Sequence, residues 1–183
     1  MTQNSLLRLR LRVTLKLMAL AAFVLFLMVI LRALFSPAGG DVRLPLEVDL
    51  QGIEPGEHHT VTWNGRRILV LHRDAAMMAS LPEPEALYDP NSRFDRRPRR
   101  ITAQHRGWVP EWLVVYAEST DLGCDLDLVG PAESDDWEGG LRDRCRGGRY
   151  DFAGRVYKGQ PAMRNLEIPP YRFEGNRLIL GAD

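Results

Sequence analysis

An apolar run near the amino terminus constrains this chain more than any other feature. Residues 17–31 include no charged or polar side chain, and Lys16 and Arg32 flank the run. The longer stretch over residues 13–35 can cross about 30 Å of hydrocarbon if the two flanking cations extend to the interface. Such a segment is either a membrane helix or the core of a signal peptide, so the globular fold must come from the rest of the chain.

The sequence around this run favours an uncleaved anchor over a signal peptide. The run is at the upper end of signal-peptide length, and the small-residue site at residues 36–38 contains Pro37, which is unfavourable for cleavage. Asp41 follows the helix closely, whereas four basic residues precede it: Arg8, Arg10, Arg12 and Lys16. The charge bias therefore predicts a cytoplasmic N-terminus over residues 1–16, a transmembrane helix over 17–35, a hinge or linker over 36–47, and a globular domain over 48–183 beyond the membrane.

The globular part has the sequence pattern of a mainly β domain. Short runs rich in β-branched, aromatic and other apolar residues occur at 60–63, 67–71, 113–116 and 178–180, and Asn64-Gly65 predicts a hairpin turn between the first two. Residues 74–81 are compatible with a short helix that Asp74 caps. Equal numbers of basic and acidic residues, 24 of each, argue against a nucleic-acid partner. Antiparallel sheet is the expected outcome.

Two short segments share a framework with a known family. They read Ser119-Thr120-Asp121-Leu122-Gly123-Cys124 and Asp143-Arg144-Cys145-Arg146-Gly147-Gly148. They resemble the two cluster-binding loops of Rieske iron–sulfur proteins, Cys-Thr-His-Leu-Gly-Cys and Cys-Pro-Cys-His-Gly-Ser. The similarity to the Rieske subunit of bacterial quinol:cytochrome c oxidoreductase covers roughly residues 41–183, with ordered matches at 61–66, 88–90, 110–115 and 165–171. The resemblance implies a Rieske-like antiparallel β-sandwich with a single N-terminal transmembrane helix.

The departures from the family pattern fall on the cluster ligands. A Rieske centre needs two thiolates on one iron and two imidazoles on the other. The two cysteine-ligand positions hold Ser119 and Asp143, and the two histidine-ligand positions hold Asp121 and Arg146. The resemblance therefore implies a degenerate member of the family with no cofactor, no metal and no catalytic residue.

The same four positions predict what replaces the cluster. We expect Asp121, Asp143 and Arg146 to close the gap by a carboxylate–guanidinium pair. An exposed pair of this kind contributes at most about 1 kcal/mol. The alternative is a hard-cation site formed by Ser119, Asp121 and Asp143, since oxygen ligands suit calcium or magnesium. Three oxygens beside an arginine make a poor cage.

Some other residues that the family has in or beside these loops are also present in this chain, and one is replaced. Cys124 and Cys145 match the two cysteines that form a disulfide between the loops in the family, so the resemblance implies that they are joined. An oxidising compartment fits this pairing, and closing a loop of this size contributes roughly 3 kcal/mol. The family's tyrosine remains as Tyr150, whereas the serine that donates to a cluster sulfur is Gly148.

Two surface features predict contacts with other molecules. The basic run at Arg96, Arg97, Arg99 and Arg100 is either a solvated loop or a contact with anionic lipid headgroups or an acidic partner. Trp137 follows an acidic segment between the two loops. It is either an anchor for a partner or a packed side chain of the domain itself.

Two functions remain open. The first is a non-catalytic accessory or structural subunit of a respiratory or photosynthetic electron-transfer complex, anchored in a bacterial inner membrane with a periplasmic domain. Its partners are the other subunits and the lipid bilayer, with no nucleic acid and no small-molecule substrate. The second is an electron-transfer subunit that uses another cofactor or cycles the Cys124–Cys145 disulfide. We favour the first because a structural disulfide typically has too low a reduction potential to cycle.

Overall fold

The computed structural model describes residues 3–35, 44–95, 100–131, 133 and 136–181, in two units, Met1–Arg43 and Leu44–Asp183. The first unit contains helix α1 (Gln3–Phe35). Its segment Arg10–Arg32 has 23 residues and a mean hydropathy of 2.6, so by length and composition it is able to cross a membrane. Most of the predicted hinge over 36–47 lies outside the described residues, and the predicted domain boundaries stay predictions.

The second unit is built from short antiparallel strands. Within the described residues these are β1 (Leu46–Asp49), β2 (His58–Trp63), β3 (Arg66–His72), β4 (Trp112–Tyr116), β5 (Leu126–Val129), β6 (Gly140–Asp143), β7 (Arg149–Tyr150), β8 (Tyr171–Glu174) and β9 (Arg177–Leu180). They form three sheets of three strands, in the orders β1-β9-β8, β2-β3-β4 and β5-β6-β7. Every strand pair is antiparallel. The predicted mainly β, antiparallel fold class is confirmed.

The hairpin between β2 and β3 forms where the sequence predicts it. Asn64 and Gly65 both have positive φ, 49° and 74°, and they connect the paired residues Trp63 and Arg66. Two consecutive positive φ values are the requirement of a type I′ turn, whose twist matches that of the flanking strands. The turn therefore fixes the register of the longest strand, β3, which lies between β2 and β4.

One hydrophobic core joins the three sheets. Buried side chains from each of them belong to it, including Leu178 of β9, Ile68 of β3 and Leu141 of β6. A short helix, α2 (Ala75–Ala79), contributes Met77, whose backbone N–H donates to the Asp74 carboxylate at 2.7 Å. Asp74 is thus the predicted N-cap, and the helix is shorter than predicted because Ser80 ends it two residues before Pro82.

The sheet β5-β6-β7, which carries the second cysteine loop, consists of short strands that include polar residues and glycine. Strands β5, β6 and β7 have two to four residues each, and they include Asp127, Gly140 and Arg142. Such short strands gain their stability from packing against the rest of the domain rather than from their own propensity. Their arrangement places the first loop (residues 117–125) between β4 and β5, and the second loop (residues 143–148), which begins at the last residue of β6, between β6 and β7.

Candidate functional site

Each of the two loops is closed by its own backbone. In the first loop Ser119 N–H donates to the Cys124 carbonyl at 2.8 Å, and Gly123 N–H donates to the Ser119 carbonyl at 3.0 Å. In the second loop Gly147 N–H donates to the Asp143 carbonyl at 2.9 Å. Gly123 and Gly147 have φ of 71° and 70°, a conformation that costs a glycine nothing and strains most other residues. The glycines of the two motifs therefore set the shape of the loops.

Covalent and backbone contacts hold the two loops together. Cys124 and Cys145 form a disulfide, with their Cα atoms 6.1 Å apart, which confirms the predicted pairing. Beside it, Arg144 N–H donates to the Asp125 carbonyl at 3.0 Å. The loops are thus fixed side by side by bonds that involve no metal.

The two positions that hold cysteine ligands in the family bond to each other. Ser119 Oγ donates to Asp143 Oδ2 at 2.9 Å, and both residues are buried, with exposures of 4% and 2%. The other carboxylate oxygen of Asp143 accepts the Cys145 N–H at 2.7 Å. The Asp143 carboxylate is therefore satisfied from both loops, as a buried polar group must be.

The two positions that hold histidine ligands in the family also bond to each other. Arg146 Nη1 lies 3.0 Å from Asp121 Oδ2, with side-chain exposures of 52% and 16%. The expectation that Asp143 shares this ion pair is wrong, because its carboxylate is taken up by Ser119 and the Cys145 N–H. The pair makes a single contact, and at this exposure its contribution is small.

Tyr150 connects the first loop to the strand after the second loop. It is fully buried, and its hydroxyl lies 3.2 Å from Ser119 Oγ and 3.0 Å from Thr120 Oγ1, and accepts the Thr120 N–H at 3.1 Å. A Cβ atom at Gly148 would lie 3.7 Å from the nearest atom, a methylene of Asp143, which is ordinary van der Waals contact. A Cβ atom would therefore fit at Gly148 without displacing its neighbours.

These residues do not fit an iron–sulfur cluster. Arginine has no acceptor atom and cannot ligate iron, so Arg146 excludes a full ligand set of the Rieske type. The hard-cation alternative fits poorly as well, because Asp121 already accepts from Arg146 and Ser119 directs its proton to Asp143. Asp143 also lies within 4.8 Å of both cysteine sulfurs, but sulfurs in a disulfide are not the thiolates that bind metals.

The predicted contact surfaces are only partly described. Trp137 is half-buried and packs edge-on against Tyr157, with ring centroids 5.9 Å apart and the Arg149 guanidinium 5.4 Å above its ring. Burial raises the pKa of Tyr157, and its neighbours Asp151 and Glu138 act in the same direction. Arg100 lies 5.4 Å above the Trp108 ring, whereas Arg96, Arg97 and Arg99 lie outside the described residues.

The sequence does not reveal a buried polar network centred on Arg106. This side chain is fully buried and donates to Ser92 Oγ at 2.7 Å, to the Ala153 carbonyl at 3.0 Å, and to Asp95 and the Leu166 carbonyl. Asn165 joins the network through Ser92 Oγ at 3.2 Å. The segments at 88–90 and 165–171 do carry a signal, since the family resemblance singles them out and Asn165 donates to the Asp89 carbonyl at 2.9 Å.

A second buried arginine is held by backbone carbonyls. Arg73 donates to the carbonyls of His105 at 2.8 Å, Phe152 at 3.0 Å and Trp112 at 3.1 Å. Burial lowers the pKa of Arg73 to about 10 although Asp151 opposes the shift. Arg73 and Arg106 thus cross-link segments that are distant in the sequence, and neither belongs to the two loops.

The chain is similar to subunits of respiratory complexes from bacteria and mitochondria. The chain is 36% identical over 141 residues to the ubiquinol-cytochrome c reductase iron-sulfur subunit of Allochromatium vinosum, covering 74% of this chain and 68% of that protein. It is 37% identical over 135 residues to the same subunit of Blastochloris viridis, covering 74% and 69%. It is 36% identical over 137 residues to the mitochondrial cytochrome b-c1 complex subunit Rieske of Schizosaccharomyces pombe, covering 74% and 53%.

Two other comparisons add little. No protein-family model matches the chain. A chain of a solved structure described as "Hyperthermophilic respiratory Complex III" aligns with 91% of this chain at a TM-score of 0.45 and 19% identity, values too low to extend the assignment. The curated relatives are sufficient by themselves, because they match most of both sequences. The chain therefore belongs to the family of Rieske iron–sulfur subunits of ubiquinol–cytochrome c reductase.

Proposed function

We propose that this chain is a cluster-free, non-catalytic accessory or structural subunit of a membrane electron-transfer complex of the quinol:cytochrome c reductase type. One observation carries the proposal. The four ligand positions bond to each other in two pairs, Ser119 with Asp143 and Asp121 with Arg146. Each pair replaces a cross-link that a metal makes in a Rieske centre, so the loops keep their arrangement by protein contacts alone.

The anchor and the domain each offer contacts that are independent of a metal. The apolar segment of α1 has the length and composition of a membrane span. The domain keeps a continuous hydrophobic core and a disulfide, which fits an oxidising compartment such as the periplasm. We propose that residues 1–16 are cytoplasmic in a bacterial inner membrane, that 17–35 span it, and that 36–47 connect the helix to a periplasmic domain over 48–183.

The relatives support the identity of the host. Each of those described above is, by its name, either an iron-sulfur subunit of ubiquinol-cytochrome c reductase or the Rieske subunit of a cytochrome b-c1 complex. A member of the family that keeps the fold and loses the ligands retains the surfaces for contact with neighbouring subunits, because those surfaces do not depend on the cluster. Its role would then be in assembly or stability of the complex.

A second candidate function is electron transfer through the disulfide. It is favoured by one observation, that Cys145 is an exposed residue, because exposed disulfides tend to have the higher reduction potentials of redox-active ones. A reduction potential for Cys124–Cys145 in the range of catalytic disulfides would support this function, whereas a potential below about −300 mV is typical of a structural disulfide.

The test of the cluster-free state is the metal content of the protein in its own membranes. The tagged chain is purified from native membranes in mild detergent, and iron and acid-labile sulfide are measured per mole of chain. We expect neither above background. A variant with all four ligands restored, Ser119→Cys/Asp121→His/Asp143→Cys/Arg146→His, is the matched control and should gain iron. Stoichiometric iron and sulfide in the unmodified chain would overturn the proposal.

The test of the accessory role is deletion of the chain. The host complex is isolated from the deletion strain, and its yield and its quinol oxidation rate per haem are compared with the parent. We expect a lower yield or thermal stability of the complex with the rate per haem unchanged. A proportionate loss of rate per haem at normal yield would favour the electron-transfer function instead.

A further inference from the structure

The N-terminal end of α1 has three cations on one face. Arg8, Arg12 and Lys16 recur every four residues, so at 3.6 residues per turn the three lie within an arc of about 80° around the helix axis. Arg10 lies at least about 120° from each of them by the same geometry. All four residues are exposed. The N-terminal end of the helix therefore presents a continuous cationic stripe, with Arg10 on another face.

No acidic side chain of α1 lies beside this stripe. The sequence of α1 contains no aspartate or glutamate, and within the described residues the structure gives none of Arg8, Arg12 and Lys16 an ion-pair partner. Like charges four residues apart destabilise a helix unless an anion lies between them. The stripe thus calls for an anionic partner from outside the chain.

The position of the stripe along the helix indicates which class of anion binds to it. Lys16 directly precedes the apolar residues 17–31, and side chains in an α-helix lean toward its N-terminus, so Lys16 extends toward the level of Arg12. Arg8 to Lys16 covers about 12 Å along the axis. In a membrane this places the three cations at the boundary between hydrocarbon and headgroups.

The stripe continues as an apolar face deeper along the helix. Leu20 and Val24 follow Lys16 at the same four-residue spacing, and they are 58% and 51% exposed. A lipid offers both matching parts, a charged phosphodiester for the cations and acyl chains for the apolar face. A free anion offers only the first. The continuity of the two surfaces therefore favours a lipid over inorganic phosphate.

We propose that Arg8, Arg12 and Lys16 form a binding site for the headgroup of an anionic phospholipid on the cytoplasmic side of the membrane. This proposal depends on the proposed membrane anchor, and it adds that the anchor prefers one class of lipid. Each basic residue near an anionic lipid surface changes the affinity by about fivefold, so the whole stripe corresponds to roughly 100-fold.

The experiment uses the full chain in neutral detergent and native mass spectrometry to count bound lipid. The chain is titrated with phosphatidylglycerol or with phosphatidylcholine, and the dissociation constant of the first bound lipid is measured. We expect phosphatidylglycerol to bind at least tenfold more tightly, and this preference to shrink as salt is raised. Arg12→Gln should weaken its binding about fivefold. Arg10→Gln removes the same charge two residues away and should change the binding less than twofold.

Three results would overturn the inference. Equal binding of the two lipids would show that the stripe has no preference. Equal losses for Arg12→Gln and Arg10→Gln would show a diffuse charge effect rather than a site on one face. Displacement of phosphatidylglycerol by inorganic phosphate at the same concentration would show a free-anion site. Carbonate extraction of native membranes separates these outcomes from failure of the anchor, since a chain that is not integral to the membrane contradicts the proposed function itself.

Discussion

Two polar regions of the globular domain are held together by different kinds of contact. The Arg106 network, which consists of Arg106, Asp95, Ser92 and Asn165, is buried and bonds segments up to 73 residues apart. The loop pair, which consists of the first and second loops, has one buried contact between Ser119 and Asp143 and one exposed contact between Asp121 and Arg146. The Arg106 network forms only when segments that are distant in the sequence come together in the fold, whereas a disulfide holds the two loops together.

This difference explains how a member of the family can lose its ligands and keep its fold. The hydrophobic core joins the strands, and the Arg106 network joins segments that lie between them, without any residue from the ligand positions. The ligand positions lie in loops whose shape comes from glycines, the disulfide and backbone hydrogen bonds. Substitutions at the ligand positions remove only contacts of the loops. The four ligands can therefore change while the domain stays folded.

The largest effect is expected at Arg106. Arg106→Ala leaves the Asp95 carboxylate buried with its cationic partner removed, which typically costs about 3–5 kcal/mol of unfolding free energy. The measurement is urea unfolding of the chain in detergent, followed by tryptophan fluorescence. The control is Arg177→Ala, which breaks an exposed pair with Glu47 at 2.8 Å and should cost less than about 1 kcal/mol. Equal effects of the two substitutions would contradict the buried role of the network.

The disulfide ranks second. Its cysteines are 21 residues apart, and Cys124→Ser/Cys145→Ser should lower the unfolding free energy by about 3 kcal/mol because the unfolded chain regains the entropy of this loop. The double variant avoids a free thiol, and the same urea unfolding measures it. Faster amide hydrogen exchange at residues 119–124 and 144–148, with β3 unchanged, would localise the loss to the loop pair. Exchange that rises equally in β3 would show that the disulfide supports the whole domain.

The sequence predicts the parts of the fold that local chemistry decides. Asn64-Gly65 specifies the hairpin, and Asp74 the start of α2, because each needs only its immediate neighbours. The cysteine pair follows from the family resemblance. Strands β5 to β8 are not among the predicted runs, because charged side chains interrupt the apolar pattern of their two to four residues.

The pairing of the ligand positions is a harder problem for sequence reasoning. The sequence identifies all four positions but wrongly adds Asp143 to the ion pair of Asp121 and Arg146. Which carboxylate meets the arginine depends on burial, since Asp143 is turned inward to Ser119 while Asp121 stays near the surface. The sequence fails to identify Arg106 as a buried residue for the same reason, because the residues next to an arginine do not show whether its side chain is buried or solvated.

A smaller effect is expected for the buried contact between the loops. Ser119→Ala removes one donor from the Asp143 carboxylate and should cost about 1–3 kcal/mol, since a buried acceptor loses a partner. A double-mutant cycle with Asp143→Ala measures the coupling between the two residues, which we expect to be at least about 0.5 kcal/mol. The matched cycle pairs Asp143→Ala with Tyr150→Phe, because the Tyr150 hydroxyl bonds to Ser119 and Thr120 and has no direct bond to Asp143. Coupling confined to the second cycle would contradict the direct bond.

The smallest effect is expected at the exposed contact, where Arg146→Ala should change the unfolding free energy by less than about 1 kcal/mol. The guanidinium is half in solvent and makes one contact with Asp121, so water and salt replace most of what the pair supplies. A double-mutant cycle of Asp121→Ala and Arg146→Ala in 0.5 M salt should therefore show almost no coupling, while the Ser119–Asp143 cycle keeps its value because its atoms are buried. A coupling above about 2 kcal/mol at the exposed pair, or loss of both couplings in salt, would contradict the division of the ligand positions into a buried pair and a surface pair.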